Sequence, residues 1–498
     1  MMDPQKHIVI VGGGTAGWMA ANLFQHQLAP LGMRCSLIES PDIPTVGVGE
    51  GSTPQLKQFF QQLGITESEW MPACQATYKN GIQFCDWSTE AGYEQYFHPF
   101  PSAVDKQTAK GFLQHSIARQ RGVAVDAQPD RFFLAAQLAR RHLSPKVSSK
   151  GAVPLGYAYH FDAALLGQFL QTRATGRGVV HLSGKVVSVQ QHPSKAIASV
   201  TLDDGRVIKG DIFVDCSGFQ SLLMQQHLAV PFHSYATQLF NDSAVAVASP
   251  RLDPLMSQTK ACALTHGWRW QIPLTHRTGN GYVFSSAYCD TQQASEELVQ
   301  VLGVNANDCD IRHLKMKVGR VTEHWRHNCL ALGLAQGFIE PLEATALHLV
   351  QVTLESFISA WQAGGFSQQH QAEFNQRINA RFDGIRDYIM CHYLMNSRTD
   401  SQYWQDNRHN SQQSDSLRAL LDCWFAGGDL IAEINRQQIA AYYPVVSWYC
   451  LLAGYGRFPT KGLANVTQLI DLKAIDEHMT GLCQHFLSHE QALQVANV

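Results

Sequence analysis

The sequence of 498 residues lacks the features of a membrane, secreted or nucleic-acid-binding protein. No apolar run reaches the roughly 18 residues that a membrane-spanning helix needs. The first residues, MMDPQKHIVIVGGG, lack the basic and then apolar segments of a secretion signal. A net charge of −3 provides no basic surface for nucleic acid or an anionic membrane. We therefore expect a cytoplasmic protein that binds neither nucleic acid nor membrane.

Cysteine pairs and metal-binding motifs are missing as well. The 12 cysteines stand singly, without a C-x-x-C pair, and the 22 histidines form no H-E-x-x-H set. In a long chain without a secretion signal, such cysteines are expected to be reduced and mostly buried thiols. The sequence therefore predicts an enzyme that uses no metal.

The N-terminal segment has the pattern of a dinucleotide-binding βαβ unit. The strand HIVIV is followed by Gly12, Gly14 and Gly17 as G-x-G-x-x-G, and then by apolar residues at helical spacing. These glycines permit a tight turn, close approach of a pyrophosphate, and packing of helix on strand. Glu39 ends the next strand, where a carboxylate can accept hydrogen bonds from ribose hydroxyls. The predicted cofactor site comprises Gly12, Gly13, Gly14, Thr15, Ala16, Gly17 and Glu39.

Two later segments favour FAD over NAD as the cofactor. GDIFVDCSGFQS and HNCLALGLAQGFIEPLEATALHLVQ have the shapes of the second and third flavoprotein fingerprints, in which a strand enters a glycine-containing turn. Each segment alone is equally compatible with an ordinary strand-turn-helix unit. Their order and spacing together predict FAD, and no second G-x-G-x-x-G of this quality indicates a separate nicotinamide domain.

The rest of the chain divides into a strand-rich part and a helical part. Short strand patterns occupy about 145–335, with a hairpin signal at Asp204-Gly205, and helical patterns dominate from about 342. We predict an α/β fold whose FAD-binding, Rossmann-like module of the flavin-monooxygenase type, with antiparallel β segments, spans 1–345. A mostly α-helical region over 346–498 is predicted to close over the substrate pocket.

The segment THGWRWQIPL places two tryptophans one residue apart. In a strand, Trp268 and Trp270 would point to the same face, and Pro273 would end the strand because it has no N–H to donate. The segment alone is also compatible with a half-buried strand end that carries an aromatic pair.

Several motifs together resemble a known family. GGGTAGW, VGVGEGSTP, the lysine of YKNGIQF, GWRWQIPL and GFIEPLEAT occur in the order seen in flavin-dependent tryptophan halogenases, whose signature is W-x-W-x-I-P. FDGIRDYIMCHYLMNSRTDSQYW is similar to a further segment of that family, so the resemblance covers nearly the whole chain.

The resemblance implies a two-component reaction. A separate NADH-dependent flavin reductase would supply FADH2, which with O2 and halide yields hypohalous acid, and a tunnel would lead this acid to a small aromatic substrate. Trp268 and Trp270 would wall the tunnel, exclude water and keep the substrate away from the flavin. The resemblance is also compatible with a homodimer.

The resemblance assigns catalytic and substrate-binding residues. Lys79 would hydrogen-bond hypohalous acid or form a haloamine, although a lysine taken alone is more often a solvated surface residue. Glu343 would stabilise the arenium ion, accept its proton or help to activate the halogen, and Glu340 is the nearby alternative. His98 and Phe100 would stack on the substrate, or would belong to a loop packed against the core.

Further cofactor contacts follow from the resemblance alone. Glu50 of VGVGEGSTP would belong to the FAD site, and Val186 would touch the adenine through its backbone. Leu334 and Val350 would line the flavin.

The halide turn departs from the family pattern Phe-x-x-Pro-x-x-Ser-x-Gly. Ala344 and Ala346 stand in place of serine and glycine, while the backbone amides of Thr345 and Ala346 would still bind a halide. Loss of a hydroxyl partner costs about 0.5–1.5 kcal/mol, and a methyl group in place of glycine changes the shape of the pocket. We therefore expect bromide, which is larger and more easily oxidised, to be used better than chloride.

The segment AYYPVVSWYC departs at the substrate end. It offers Tyr442, Tyr443 and Trp448 as aromatic walls, but it has no acid to pair with the ammonium of an amino acid. This favours free indole, or a larger indole or phenol compound, over tryptophan.

Two other functions stay open. A single-component FAD aromatic monooxygenase would reduce its own flavin with NAD(P)H, but Lys79 and the tryptophan pair argue against it. A flavin-binding protein that no longer halogenates is supported by Ala344 and Ala346.

Overall fold

The structure is a computed structural model that describes residues 6–42, 49–148, 153, 155–305, 307, 309–459 and 469–496. The start of the VGVGEGSTP motif, 46–48, lies outside the described residues. The strands are β1 (His7–Val11), β2 (Arg34–Glu39), β3 (Gly49–Gly51), β4 (Thr77–Lys79), β5 (Gly81–Cys85), β6 (Gln95–Pro99), β7 (Leu143–Val147), β8 (Ala158–Asp162), β9 (Val180–Ser183), β10 (Val186–Gln191), β11 (Ile197–Leu202), β12 (Val207–Lys209), β13 (Ile212–Asp215), β14 (Phe232–Ser234), β15 (Ser243–Pro250), β16 (Thr259–Leu264), β17 (Gly267–Pro273), β18 (Arg277–Phe284), β19 (Arg312–Lys315), β20 (Gly319–Val321), β21 (Trp325–Arg326), β22 (Cys329–Ala331), β23 (Gly337–Phe338) and β24 (Phe486–Ser488). The α-helices are α1 (Thr15–Leu28), α2 (Gln55–Gln62), α3 (Glu67–Ala73), α4 (Lys106–Gln120), α5 (Pro129–Phe132), α6 (Leu134–Arg140), α7 (Ala163–Gly176), α8 (Thr291–Leu302), α9 (Ala346–Ala363), α10 (Gln371–Met395), α11 (Gln402–Arg408), α12 (Asp415–Phe425), α13 (Leu430–Gln437), α14 (Val445–Gly454), α15 (Leu472–Cys483) and α16 (His489–Ala496).

The strand β1 lies inside a six-stranded sheet of order β21-β22-β13-β1-β2-β9. It pairs in parallel with both neighbours, so that Ile10 is opposite Val214 on one side and Leu37 on the other. Its apolar run is buried because the strand is central and α1 packs on the sheet. The parallel β1–α1–β2 unit confirms the predicted Rossmann-like start.

Antiparallel segments follow, as predicted. The strands β11 and β12 form the hairpin at Asp204-Gly205, and Gly205 has φ +87°, a left-handed conformation that glycine adopts without strain. The largest sheet has the order β19-β15-β18-β17-β16-β5-β6 and is antiparallel except between β16 and β5. The mixed α/β architecture confirms the predicted fold class.

The strand β17 carries the tryptophan pair and ends at Pro273, as predicted. Trp268 and Trp270 point to one face, are 1% and 8% exposed, and have ring centroids 6.3 Å apart. Trp270 lies flat against β18, where a Cβ on Gly281 would come within 2.0 Å of its ring. The pair is therefore inside the molecule and not at a half-buried strand end.

The chain is mostly helical from α9 onward, but its last segment returns to the first part. The strand β24 pairs antiparallel with β7, and α9 packs on α1 and α10. The division of the chain at 345/346 stays a prediction. Among the residues that the structure describes, no helix is long and apolar enough to cross a membrane. All 12 cysteines are free thiols.

Candidate active site

The glycine-rich turn has the shape that a pyrophosphate requires. Gly12 has φ +118°, and a Cβ there would lie 2.1 Å from the carbonyl oxygen of Cys216. A Cβ on Gly17 would lie 2.0 Å from the carbonyl oxygen of Gly12, whereas a Cβ on Gly14 would meet no atom of the described residues within 4 Å. The helix α1 begins at Thr15, and no side chain in the described part of the chain caps it, so its first amides can bind an anion. These residues fit the diphosphate of FAD.

The acid predicted to bind ribose lies beside this turn. Glu39 is the last residue of β2, and a Cβ on Gly13 would overlap its carboxyl group. The carboxylate is 3.0 Å from Nε2 of His181, a residue of β9 that the sequence analysis did not select. Glu39 is partly exposed, so it can exchange that contact for a ribose hydroxyl.

The other predicted flavin contacts occupy different environments. Leu334 is 37% exposed in the turn after β22, and its neighbour Gly333 packs against Ala16 of the glycine-rich turn. Val186 begins β10 and is half-buried, whereas Val350 is only 2% exposed within α9. The structure therefore brings the Leu334 turn to the glycine-rich turn.

Glu50 lies in β3, which pairs with β8. Burial, together with the negative charge of Asp162, raises the pKa of its carboxyl group to about 7. Its cofactor role stays a prediction.

Lys79 is the last residue of β4 and is completely buried. Its Nζ donates a hydrogen bond to the carbonyl oxygen of Ser52 at 3.1 Å and lies 5.6 Å from the centroid of the Phe100 ring. Burial lowers the pKa of Lys79 to about 7, although the nearby charge of Glu343 opposes this shift. The amine can thus exist in both protonation states near neutral pH, which is the property expected of a reactive lysine and not of a surface lysine.

Glu343 lies in the tight turn before α9 and is 7% exposed. Its Oε1 accepts a hydrogen bond from Nε2 of His392 at 3.0 Å and lies 3.8 Å from Nδ1 of His98. Burial raises the pKa of Glu343, whereas the charges of His98 and Lys79 lower it. The structure therefore brings Lys79, His98 and Glu343 to one site.

Three residues of this site, His392, Tyr455 and Tyr388, were not predicted from the sequence. Burial lowers the pKa of His392, so the neutral ring donates from Nε2 to Glu343 and accepts at Nδ1 from Tyr455, whose hydroxyl is 2.9 Å away. The hydroxyl of Tyr388 lies 3.4 Å from Nε2 of His98. Tyr388 and His392 are four residues apart on α10. This spacing places both side chains on one face of the helix, and it is the sequence pattern that could have identified them.

Aromatic rings pack around Tyr388. Tyr443 stacks on it with centroids 3.5 Å apart, and Trp448 meets it edge-on at 4.7 Å. The indole Nε1 of Trp448 and the hydroxyl of Tyr443 are buried, and neither has a hydrogen-bond partner within the part of the chain that the structure describes. Two predicted walls of the substrate pocket, Tyr443 and Trp448, thus join the cluster that contains His98.

Glu340, the alternative to Glu343, has a different environment. Its Oε2 accepts hydrogen bonds from Trp268 Nε1 at 2.8 Å, Asn241 Nδ2 at 2.9 Å and Tyr393 at 2.6 Å. These hydrogen bonds hold the side chain of Trp268 in place. Glu343, and not Glu340, is therefore the carboxylate whose charge acts on Lys79.

The predicted halide turn is strained at one position and open at another. Ala344 has φ +54°, a left-handed conformation that is uncommon for a residue with a Cβ. Thr345 is buried and its hydroxyl has no hydrogen-bond partner among the described residues, whereas Ala346 is exposed at the start of α9. No side chain in that part of the chain caps this helix start, so its amides can bind an anion.

Fold and site together define the class of this protein. The fold combines a mostly parallel sheet, which carries a pyrophosphate-binding turn, with a large, mostly antiparallel sheet. Together with a buried lysine in electrostatic range of a carboxylate, these are features of a flavin-dependent oxidoreductase. The chain belongs to the tryptophan halogenase family, whose sequence model matches residues 7–469.

Individual relatives match along most of their length. Tryptophan 6-halogenase SttH of Streptomyces toxytricini is 34% identical, over 96% of this chain and 94% of that protein. Tryptophan 7-halogenase RebH of Lentzea aerocolonigenes is 33% identical, over 91% and 90%. The structure of BrvH, a flavin-dependent halogenase from Brevundimonas sp. BAL3, is similar with a TM-score of 0.84 and 32% identity over all of both chains.

The family identifies the chain as a flavin-dependent halogenase. The enzymes of this family use FADH2 from a separate flavin reductase, with oxygen and a halide, to halogenate a small aromatic substrate. FAD fits the glycine-rich turn described above.

Proposed function

We propose that this enzyme halogenates indole, or a larger indole compound without an amino acid head group, with Lys79 and Glu343 as its catalytic residues. The observation that carries the proposal is the completely buried Lys79, whose pKa is lowered to about 7 within the electrostatic range of Glu343. Its cytoplasmic location and a homodimer stay predictions.

The N-terminal module would hold the cofactor. The amides of the glycine-rich turn and of α1 would bind the diphosphate, and Glu39 the ribose. When bound, the reduced flavin supplies the electrons with which oxygen and halide yield hypohalous acid. Trp268 and Trp270 would separate this reaction from the organic substrate, because two buried indoles leave little room for water.

Lys79 would position the halogen beside the arene. In its charged form, it donates a hydrogen bond to the oxygen of hypohalous acid, which withdraws electrons from the halogen. The arene carbon attacks the halogen, the oxygen–halogen bond breaks, and the leaving hydroxide takes the lysine proton to form water. In its neutral form, Lys79 can instead carry the halogen as a haloamine.

Glu343 would accept the proton that the arenium ion loses. Burial raises its pKa, which makes it a stronger base than an exposed carboxylate, and His392 fixes its orientation. His98 and Phe100, together with Trp448, would hold the ring of the substrate.

The proposed halide and substrate preferences are based on the residues of the halide turn and of the segment 441–450. The amides of Thr345 and Ala346 would bind a halide at a turn that has alanine where the family has serine and glycine, which favours bromide over chloride. The segment 441–450 has no carboxylate for an ammonium group, which favours an indole compound other than tryptophan.

The test is a mass-spectrometric assay with purified protein, FAD, a generic flavin reductase and NADH. Indole and tryptophan are each supplied with bromide or with chloride, and the Lys79→Ala variant is the control. We expect brominated indole as the main product and none from the variant. Equal or better use of tryptophan and chloride would contradict the substrate and halide preferences. A hydroxylated product, or NADH oxidation without the reductase, would support the single-component monooxygenase.

A further inference from the structure

Two cysteines are directly opposite each other on neighbouring strands. Cys85 of β5 and Cys262 of β16 are Cα partners in the one parallel pairing of the seven-stranded sheet. Partners in adjacent strands point to the same face and lie about 4.7–4.9 Å apart. This separation falls within the Cα spacing of about 4.4–6.8 Å that a disulfide bond accepts.

The pair lies on the face of the sheet opposite the tryptophans. Cys262 is the Cα partner of Arg269, which stands between Trp268 and Trp270 in β17 and therefore points to the other face. Cys262 is 9% exposed and Cys85 is half-buried, so a small oxidant can reach the thiols from that side.

The surroundings make one of the two thiols acidic. The neighbouring Cys85 thiol and the Arg269 guanidinium lower the pKa of Cys262, although burial opposes the shift, and the Sγ of Cys85 lies 4.0 Å from the backbone oxygen of Gln83. The Nε of Arg269 is buried and has no hydrogen-bond partner among the described residues. By contrast, burial raises the pKa of isolated thiols such as Cys35 and Cys391.

We propose that Cys262 and Cys85 form a peroxide-reactive dithiol that closes to a disulfide. The Cys262 thiolate attacks one oxygen of hydrogen peroxide, the O–O bond breaks, and the leaving hydroxide becomes water by taking a proton. The product is a sulfenic acid on Cys262. The Cys85 sulfur attacks this sulfur, the S–S bond forms, and a second water leaves. Two thiols are oxidised by two electrons, and one peroxide is reduced to two waters.

The oxidant is hydrogen peroxide added from outside, so the proposal does not depend on the proposed halogenase activity. The bond would join β5, which directly follows Lys79 and Asn80, to β16, the neighbour of the tryptophan strand. Cys85 is only half-buried, and exposed disulfides are more easily reduced than buried ones, so we expect this disulfide to be readily reduced.

The first test is peptide mapping of the full-length folded protein after treatment with hydrogen peroxide and alkylation of the remaining thiols. We expect a cross-linked peptide pair containing Cys85 and Cys262, with a mass two hydrogens lower, that dithiothreitol separates again. The matched control Cys309→Ser removes a thiol outside the pair and should leave the cross-link intact. Alkylation of both Cys85 and Cys262 under conditions that oxidise Cys309 or Cys423 would overturn the proposal.

Three further variants test the order of the steps. In Cys85→Ser, oxidation should stop at a sulfenic acid on Cys262, which dimedone traps, whereas Cys262→Ser should leave Cys85 unreacted. Arg269→Gln should slow the oxidation about tenfold, which corresponds to a rise of one unit in the thiol pKa. Sulfenic acid on Cys85 instead, or an unchanged rate in Arg269→Gln, would contradict the assignment of Cys262 as the attacking thiol.

Discussion

Lys79 is buried without a carboxylate in hydrogen-bond range among the residues that the structure describes, and this costs stability. Its Nζ donates a hydrogen bond to the carbonyl oxygen of Ser52, and burial lowers its pKa from 10.5 to about 7. Below pH 7 the folded protein therefore holds a desolvated charge that the unfolded chain would expose to water. A residue kept at such a cost is expected to serve chemistry and not folding.

Lys79→Met tests whether Lys79 lowers the stability of the fold while it serves catalysis. We expect it to abolish halogenation, with a loss of at least about 100-fold, and to stabilise the fold by on the order of 1–4 kcal/mol. The gain should be complete below pH 7, where the buried amine is charged, and should fade between pH 7 and 10.5 as the folded wild-type protein binds fewer protons than the unfolded chain. Urea unfolding at several pH values measures it, with the exposed Lys106→Met as control. A destabilised Lys79→Met protein would contradict this account.

Substitutions at the two glutamates of the EPLEAT turn are expected to lower the halogenation rate to different extents. Glu343→Gln can still accept a hydrogen bond from His392 but cannot take a proton, so product formation in a single turnover should fall about 10²–10⁴-fold. Glu340→Gln keeps an acceptor for Trp268 and should lose less than about tenfold. A larger loss in Glu340→Gln would reverse the two assignments.

At the scale of elements, two glycines of the turn between β1 and α1 have different roles, one in the packing of the fold and one in ligand binding. Gly17 packs against the carbonyl of Gly12, so its lack of a Cβ serves the packing of helix on strand. A Cβ on Gly14 would meet none of the described residues, so we expect its lack of a Cβ to serve a ligand and not the packing of the protein.

Alanine at these two glycines should therefore have opposite consequences. Gly17→Ala should destabilise the protein by about 1–3 kcal/mol, because the new methyl group meets backbone that cannot move easily. Gly14→Ala should leave the free protein within about 0.5 kcal/mol of wild type but weaken FAD binding at least tenfold. Thermal unfolding without FAD and a fluorescence titration with FAD separate the effects. Normal FAD affinity in Gly14→Ala would place the diphosphate elsewhere.

At the scale of the whole molecule, the last segment of the chain supports the strand that carries Lys79. His489 of α16 is 1% exposed, and its Nε2 accepts a hydrogen bond at 3.0 Å from the backbone N–H of Tyr78, the residue before Lys79. The preceding strand β24 pairs with β7, which also contacts β4. The position of the catalytic lysine thus depends on residues more than 400 positions away in the sequence.

His489→Ala should reveal this dependence. The substitution leaves a buried backbone N–H without an acceptor, which costs about 1–3 kcal/mol, and should lower the halogenation rate by loosening β4. Denaturant unfolding and the bromination assay measure the two effects, and the exposed His478→Ala is the control. Unchanged stability and rate would show that β4 is held without the C-terminal segment.

Sequence pattern alone was sufficient to predict the features that depend on only a few adjacent residues. The G-x-G-x-x-G turn, the Asp204-Gly205 hairpin and the end of β17 at Pro273 follow from backbone freedom and missing donors at single residues, and the structure confirms all three. The motif order also predicted the family correctly. Lys79 and Glu343 were selected through the resemblance, since neither residue type at that spacing specifies chemistry.

Tertiary structure decided what depends on burial and on distant partners. It placed His392 and Tyr388 beside Glu343 and His98, and it assigned Glu340 to the indole of Trp268. It also aligned Cys85 with Cys262, 177 residues apart, although each stands alone in the sequence. Periodicity shows which face of a strand or helix a residue occupies, but not which element packs against that face. Desolvation by that packing lowers the pKa of Lys79 and raises the pKa of Glu343, so their reactivity is a property of the folded molecule.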